Sequence, residues 1–357
     1  MADFTRVVAT ALAAGGHDVH VWSPEPADAI ASVTVHPLRG GYAIGRLGHL
    51  GRQLDACKGP RRLFVQWVPH GYGYKSLNVA FCFWVWRRAR KGDVVDLMVH
   101  EPFLPFAAGR LRQSIGAALH RLMLMVLQQS ADRILVSTPA FLPVIRPFGP
   151  RLPTAVWLPI PSPIPRGRPD IADRRRALAG AQPTIGYFGT ANALVRGGLE
   201  NVIEGIAARR PDVRFVLIGR GTEELARTLS ARTHALADAI VAKGPLPATD
   251  LAAVIQCCDL FVQPYPDGVS ARRTTLMALL DHGRAIVASR GIRTEDFWHD
   301  AVVLTPHDDS AAMVDAAVAL LDAPGRRAAL SEAASRLYAD RFHVDHALAI
   351  LSRTTDA

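Results

Sequence analysis

The chain has 357 residues, 49% of them hydrophobic and 20% charged, with a formal net charge of +9. That composition excludes a disordered or fibrous chain, and the length suggests two domains. The four cysteines (Cys57, Cys82, Cys257 and Cys258) form no CxxC pair and no histidine cluster has metal-ligand spacing; nothing asks for disulfides, so a reducing cytoplasm is expected.

In chain order, DFTRVVATALAAGGH reads as a helix, where a doubly wound domain would open with a strand and a Gly-rich turn. Asp3 and Arg6 interrupt any apolar leader. Strands follow at DVHVWS (18–23), SVTVHPL, RLFVQWVP (62–69), VVDLMVH (94–100) and RILVST (133–138). The longest apolar run, VAFCFWVW (79–86), is far short of a membrane span. Arg87, Arg88, Arg90 and Lys91 follow it, so it suits either a buried helix or peripheral contact with the inner membrane face. Ile115, Leu119, Leu122 and Val126 form a helical stripe. LPIPSPIPRGRPD (158–170) has five prolines in thirteen residues and reads as an extended linker.

Beyond it strand and helix alternate strictly. The strands are TIGYFG, VRFVLIG, AIVAKG, DLFVQPY, AIVAS and AVVLTP, and the helices GLENVIEGIAARR, EELARTLSART, LAAVIQCC (capped by Thr249 or Asp250) and TTLMALLDHG. Near-continuously apolar strands are buried on both faces, so the expected fold is α/β. It comprises two Rossmann-like, doubly wound parallel-sheet domains facing across a cleft. The boundaries are 1–160 for the first domain, 161–182 for the linker, 183–325 for the second domain and 326–357 for a helix crossing back to the first.

Ligands of such sheets sit beyond the carboxyl ends of the strands. There the sequence places Gly189-Thr190, Arg196 at the next helix start, Gly219 and Gly221 flanking Arg220, Gly244 with Leu246, and the stretch PDGVSARR. Asp267, Gly268, Val269 and Ser270 would bring backbone amides close to a ligand, and Arg272 and Arg273 open a helix whose dipole disfavours cations. Bound anionic oxygens would relieve that conflict, as would a pairing with Asp267. Several such ends on one rim suggest a nucleoside diphosphate. Charge alone would admit nucleic acid, but the basic residues are dispersed and not interleaved with aromatics, so none is expected. No GxGxxG follows a strand with an acid about twenty residues on, which argues against a dinucleotide oxidoreductase.

The pieces YFGTANALVRGG, FVLIGRGTEEL, AKGPLPATDLAAVIQCCDLFVQPYPDG and TLMALLDHGRAIVAS resemble, in order and spacing over 184–290, the nucleotide-sugar half of GT-B glycosyltransferases, especially retaining family four (group 1 type). FTRVVATALAAGGHDVHVWSP and VVDLMVHEPF resemble its first domain from just after the Gly-Gly turn, which implies a first strand missing from the chain as given. The resemblance implies sugar transfer from a nucleoside-diphosphate sugar to a hydroxyl of a carbohydrate or glycolipid acceptor, in polysaccharide or glycoconjugate synthesis. It implies a retaining, metal-independent reaction with no cofactor beyond that co-substrate. It implies that VVDLMVHEPF ends in an active-site histidine, His100, and that the rim residues hold the donor; as the catalytic pair, His100 would bond the transferred sugar and Glu101 would orient that sugar or an acceptor. WVPHGYGYKSLN, with His70, Tyr72, Tyr74 and Lys75, suits an acceptor sugar. Arg196 falls near the family's phosphate-binding lysine and Thr190 where the family has an arginine. Ser270 and Ala278 stand where the family carries two glutamates eight residues apart. That departure keeps two alternatives open: an inactive GT-B relative that binds a sugar nucleotide or partner, and a GT-B sugar-nucleotide epimerase.

Overall fold

The computed structural model describes residues 2–24, 29–69, 71–72, 77–149, 155–167 and 171–353. It divides into two compact units, Met1–Pro159 with Val344–Ala357, and Ile160–His343.

The first unit runs α1 (Ala2–Ala14), β1 (His20–Ser23), β2 (Thr34–Pro37), α2 (Ile44–Ala56), β3 (Arg62–Trp67), α3 (Val79–Ala89), β4 (Val94–Val99), α4 (Leu111–Gln128), β5 (Arg133–Val136), α5 (Leu142–Ile145) and β6 (Ala155–Trp157). β1 and β2 pair in parallel with each other, and β3-β4-β5-β6 form a separate parallel sheet. Among the described residues no strand joins the two sheets. Trp22 of β1 and Leu63 of β3 instead share the apolar cluster of Leu38, Leu50 and Leu54.

The apolar run on α3 is largely core: Phe81, Cys82 and Val85 are buried, and Arg88 is buried between Asp93 and Asp55. A helix between two strands of a parallel sheet must cover that sheet, which takes most of the run away from solvent. α4 departs from the expected stripe. Its buried face carries Ala117, His120, Met123, Leu124 and Leu127, while Ile115 and Leu122 turn outward. The strand β6 falls in a stretch the sequence left without structure.

The last helix of the chain, α14 (Val344–Leu351), belongs to this unit and packs on α1. Arg62 and Arg133 donate to the carbonyls of Leu351 and Ile350 at 2.5 and 2.7 Å. Cations there complement the helix dipole. Asp96, fully buried on β4, fixes Arg133 through both carboxylate oxygens, which offsets the cost of its own burial.

The second unit runs α6 (Ile171–Ala179), β7 (Thr184–Phe188), α7 (Ala193–Arg209), β8 (Arg214–Ile218), α8 (Thr222–Arg232), α9 (His234–Ala239), β9 (Ile240–Gly244), α10 (Ala248–Cys257), β10 (Leu260–Gln263), α11 (Thr274–Asp281), β11 (Ala285–Arg290), β12 (Val303–Pro306), α12 (Ser310–Leu321) and α13 (Pro324–Arg341). α6 lies inside the stretch read as linker, and α10 starts ahead of the expected caps, with Pro247 as its N-cap residue. The strands make one parallel sheet of order β12-β11-β10-β7-β8-β9. Its inner strands β7, β8, β10 and β11 are nearly all buried because helices cover both faces, while the edge strands β9 and β12 are mostly half-buried. The order reverses between β7 and β10. Those strands pair only at Leu260–Ile185 and Phe261–Gly186. Gly186 has no side chain because the Phe261 ring occupies its place: an added Cβ would lie 2.3 Å from that ring.

Candidate functional site

Where strand order reverses in a parallel sheet, the flanking connections leave to opposite faces and a crevice opens beyond the carboxyl ends. Here that point is the end of β7 and β10. Gln263, the last residue of β10, bridges it: its Nε2 donates to the Phe188 carbonyl at 3.2 Å. The Gln263 Oε1 is buried without a hydrogen-bond partner. Such an acceptor is costly unless a donor reaches it.

After β10 the chain crosses to α11 through residues 264–273. Gly268 has φ 84°, and a Cβ on it would lie 2.3 Å from the Gly291 nitrogen and 2.6 Å from Thr294 Oγ1. The crossing is thus pressed against the loop after β11. That corrects the expectation for its amides. The Gly268 N–H donates to the Tyr265 carbonyl, the Val269 N–H to Ser289 and the Ala271 N–H to the Glu295 carboxylate. They close the crossing on itself and tie it to β11 and to the loop after it rather than facing a ligand. Ser270 is 0% exposed and its Oγ has no partner.

The cations of the crossing do converge. Arg272 bonds Asp267 at 3.0 Å, Arg273 bonds the other carboxylate oxygen, and Arg293 stands 3.5 Å from Asp267. The Arg273 guanidinium also lies 4.6 Å from the Tyr265 ring centre. Two arginines at the head of α11 oppose its dipole, and Asp267 supplies the compensating charge. Partial burial would push the Asp267 carboxyl up, but Arg273 and Arg272 outweigh it and hold it below the usual carboxylate range. Three guanidiniums meet the Asp267 carboxylate, with the Glu295 carboxylate at the neighbouring Ala271 amide, so the cluster keeps a net positive charge, which suits a phosphate ligand.

The remaining rim residues are brought together, though their glycines serve packing. Gly189 donates to Ile218 and Gly219 to Gly244, which ties the ends of β7, β8 and β9. Gly219, at φ 117°, would place a Cβ 2.2 Å from the Gly189 carbonyl. Gly221 is the N-cap residue of α8 and lies against Ala191. Thr190 is exposed and Leu246 half-buried. Arg196 is directed elsewhere: it pairs with Glu200 at 2.9 Å and Glu224 at 3.0 Å and donates to Thr228 Oγ1. The start of α7 is instead capped by Asn192, which accepts from the Leu194 and Val195 amides. Beside these ends lies a cleft of about 260 Å³, lined by Leu194 and Gly198 of α7, Pro264, Ser289, His307 and Ser310 of α12.

In the first unit His100 ends β4. Its Nε2 lies 3.2 Å from Gln66 Oε1, and Gln66 Nε2 donates to Thr5 Oγ1. That orientation makes the Gln66 oxygen an acceptor and His100 Nε2 the donor. Burial pushes the imidazole down to about 3, and the Phe4 ring meets it edge-on at 5.1 Å. It is a neutral hydrogen-bonding group at ordinary pH. Glu101 is exposed beside it. Tyr72, expected in an acceptor loop, is buried: it stacks on Phe81 and donates to the Gln66 carbonyl at 2.6 Å. His70, Tyr74 and Lys75 lie outside the described residues.

Sequence reasoning missed Gln263, Arg293 and Glu295. Gln263 had a signal, a polar residue closing an apolar strand. Arg293 and Glu295 had none, because the loop after β11 meets the crossing only in three dimensions. Among the described residues no three His, Cys, Asp or Glu side chains gather where they could hold a metal ion.

Residues 182–323 match the family model described as glycosyl transferases group 1. Among curated protein sequences none matches this chain. Solved structures agree on the fold. Sucrose-phosphate synthase from Thermosynechococcus elongatus aligns over 97% of this chain and 90% of its own, at TM-score 0.70 and 16% identity. Anabaena HepE in complex with UDP and glucose aligns over 98% and 94%, at TM-score 0.68 and 15% identity. The glycosyltransferase WaaG, involved in lipopolysaccharide biosynthesis, aligns over 99% and 95%, at TM-score 0.64 and 17% identity. Residues 182–323 are a group 1 glycosyltransferase domain, and the chain that carries them has the GT-B fold.

Proposed function

We propose that the protein transfers a sugar from a nucleoside-diphosphate sugar to an acceptor hydroxyl of a carbohydrate or glycolipid, in polysaccharide or glycoconjugate synthesis. The observation that carries this reading is the convergence of Arg272, Arg273 and Arg293 on one carboxylate at the strand-order reversal. In the transfer the bond from the anomeric carbon to the leaving phosphate oxygen breaks. A bond to the acceptor oxygen forms, and the acceptor hydroxyl loses its proton. Negative charge develops on the departing diphosphate, where preorganised guanidiniums stabilise it most. Arginines in that role make the reaction independent of a metal, and the reading requires no resident cofactor. Two buried, unpartnered groups add to the arginines: Gln263 Oε1 at the end of β10, an acceptor that would take a sugar hydroxyl, and Ser270 Oγ on the crossing, which would bond sugar or phosphate. His100, as a neutral imidazole, would bond a sugar hydroxyl rather than exchange a proton. HepE is described with UDP, glucose and UDP-glucose, which supports a nucleoside-diphosphate sugar as the donor class. Retention at the anomeric carbon follows from the family resemblance.

A second reading, a catalytically inactive relative that binds a sugar nucleotide, is favoured by Ser270 and Ala278 standing where the family has glutamates. The ion pairs that turn Arg196 to α8 favour it too. Incubation with a panel of nucleoside-diphosphate sugars and oligosaccharide acceptors separates the two. Release of nucleoside diphosphate with a glycosylated product supports the transferase, and NMR of that product reads its anomeric configuration. Saturable binding without release supports the inactive relative.

A further inference from the structure

We infer that the second unit carries a second anion site, at the end of α11 away from the crossing, built for a phosphate monoester. Arg273 is the N-cap residue of α11 and His282 its C-cap residue. Leu276, Met277, Ala278, Leu279 and Leu280 between them are fully buried, so about 12 Å of core helix separates the two ends. Beside the C-cap an open cleft of about 420 Å³ is lined by His282, Arg284, Ser331, Glu332, Ser335 and Arg336. His282 is 8% exposed. Gln256 Nε2 faces its Nδ1 at 3.1 Å, and an amide nitrogen only donates, so Nδ1 accepts and the ring proton sits on Nε2. That Nε2 is buried without a hydrogen-bond partner among the described residues, which is costly until an acceptor reaches it. Burial holds the imidazole below its ordinary pKa, so it is a neutral donor at pH 7.

The other lining groups are donors too. Arg284 is half-buried, and its Nε donates to the His282 carbonyl at 2.9 Å and its Nη1 to those of Gln256 and Cys258 at 3.3 and 3.4 Å. Its Nη2 makes no protein bond and no carboxylate pairs with it among the described residues. Burial lowers its pKa, a conflict that a bound anion would relieve. Ser331 and Ser335 stand one turn apart on α13, and the turn after α11 lies directly against them: a Cβ on Gly283 would come 2.6 Å from Ser335 Oγ. A helix C-terminus ordinarily repels anions. Here the Ala278, Leu279 and Leu280 carbonyls accept from the His282, Arg284 and Gly283 amides, and Arg284 covers the His282 carbonyl. Two guanidiniums, two hydroxyls and an imidazole N–H thus face one carboxylate, Glu332, which stands 3.6 Å from Arg336 at the exposed rim. The donors fit a tetrahedral anion, and Glu332 would accept from a hydroxyl on the rest of the ligand.

The test is an NMR titration of the full chain, labelled at the histidine ring nitrogens, with inorganic phosphate, glycerol 3-phosphate and, as the uncharged control, glycerol. His282→Gln assigns the signal. The expected result is a saturable shift of His282 Nε2 with a Kd below about 10 mM for both phosphates, glycerol 3-phosphate binding at least as tightly, and no shift with glycerol. Arg336→Glu and Ser331→Asp each put a carboxylate in the cleft and should weaken binding at least roughly tenfold. Both side chains reach solvent, so thermal melts should match wild type. Arg272→Ala removes a cation of the crossing and should leave the His282 shift unchanged, which makes this outcome independent of what the crossing binds. A His282 signal that neither phosphate moves would overturn the inference. So would full binding by both cleft variants, a shift abolished by Arg272→Ala, or glycerol 3-phosphate binding tenfold more weakly than phosphate.

Discussion

Gly268→Ala tests whether the crossing after β10 is shaped by packing against the loop after β11. At φ 84° an L residue is strained by about 1–2 kcal/mol. The new Cβ would meet the Gly291 nitrogen at 2.3 Å and the Gly291 Cα at 2.7 Å, backbone atoms that cannot swing aside. Overpacking of that kind costs about 1–3 kcal/mol, so the total is about 2–5 kcal/mol. In a unit of this size each kcal/mol lowers the melting temperature by about 2–4 °C. Urea and thermal unfolding of the ligand-free protein measure it. Gly197→Ala is the control: it is an exposed helical glycine with nothing within 4 Å of an added Cβ, and should raise stability by up to about 1 kcal/mol. A Gly268→Ala protein within about 0.5 kcal/mol of wild type would refute the reasoning. The glycine would then have to be explained by ligand approach alone.

Asp267→Asn should tighten nucleoside-diphosphate binding by roughly tenfold in calorimetry, because it removes the carboxylate that competes for the arginines; weaker binding would mean that Asp267 positions them. The Asp267 carboxyl is held below its ordinary value in the folded protein. Its stabilising contribution is therefore present at neutral pH and lost only as pH falls below the usual carboxylate range, so wild-type affinity should not change through this group between about pH 5 and 8. His100, with a folded pKa of about 3 against an ordinary 6.5, contributes stability fully above about pH 6.5 and loses it as pH falls toward 3. Its NMR ring signals should stay those of a neutral imidazole from pH 8 to about 5; a midpoint near 6.5 would contradict the burial described. Arg196→Ala should leave donor affinity within roughly twofold, since its guanidinium is committed to Glu200, Glu224 and Thr228; a loss of tenfold or more would place it on the phosphate after all.

The strict alternation of apolar strands and amphipathic helices made the second unit legible as a parallel sheet, because strands buried on both faces leave few other readings. The crossing itself was legible from Arg272, Arg273 and Asp267, whose charges stand within one short turn. What could not be read was contact between loops distant in sequence. Glu295 takes up the Ala271 amide and Gly291 presses on Gly268, so amides that looked available are already engaged. Spacing also misled at Arg196, where helix geometry brings Glu200 within reach at i,i+4 and α8 supplies Glu224. Tyr72 looked like a loop aromatic because its neighbours are polar, yet it packs between Trp67 and Phe81. On α4 an apolar stripe was visible, but periodicity alone does not distinguish the side that packs from the side that faces out.

The central claim is that the arginines at the end of β10 hold the donor's diphosphate. Isothermal titration of wild type, Arg272→Ala and Arg273→Ala with UDP and UDP-glucose, each alongside a thermal melt, tests it most directly. Wild-type protein should bind saturably, with a stabilisation of about 2.7 kcal/mol at a hundredfold excess over Kd, and binding should weaken at least roughly tenfold in each variant. Wild-type binding that both variants retain in full would contradict it.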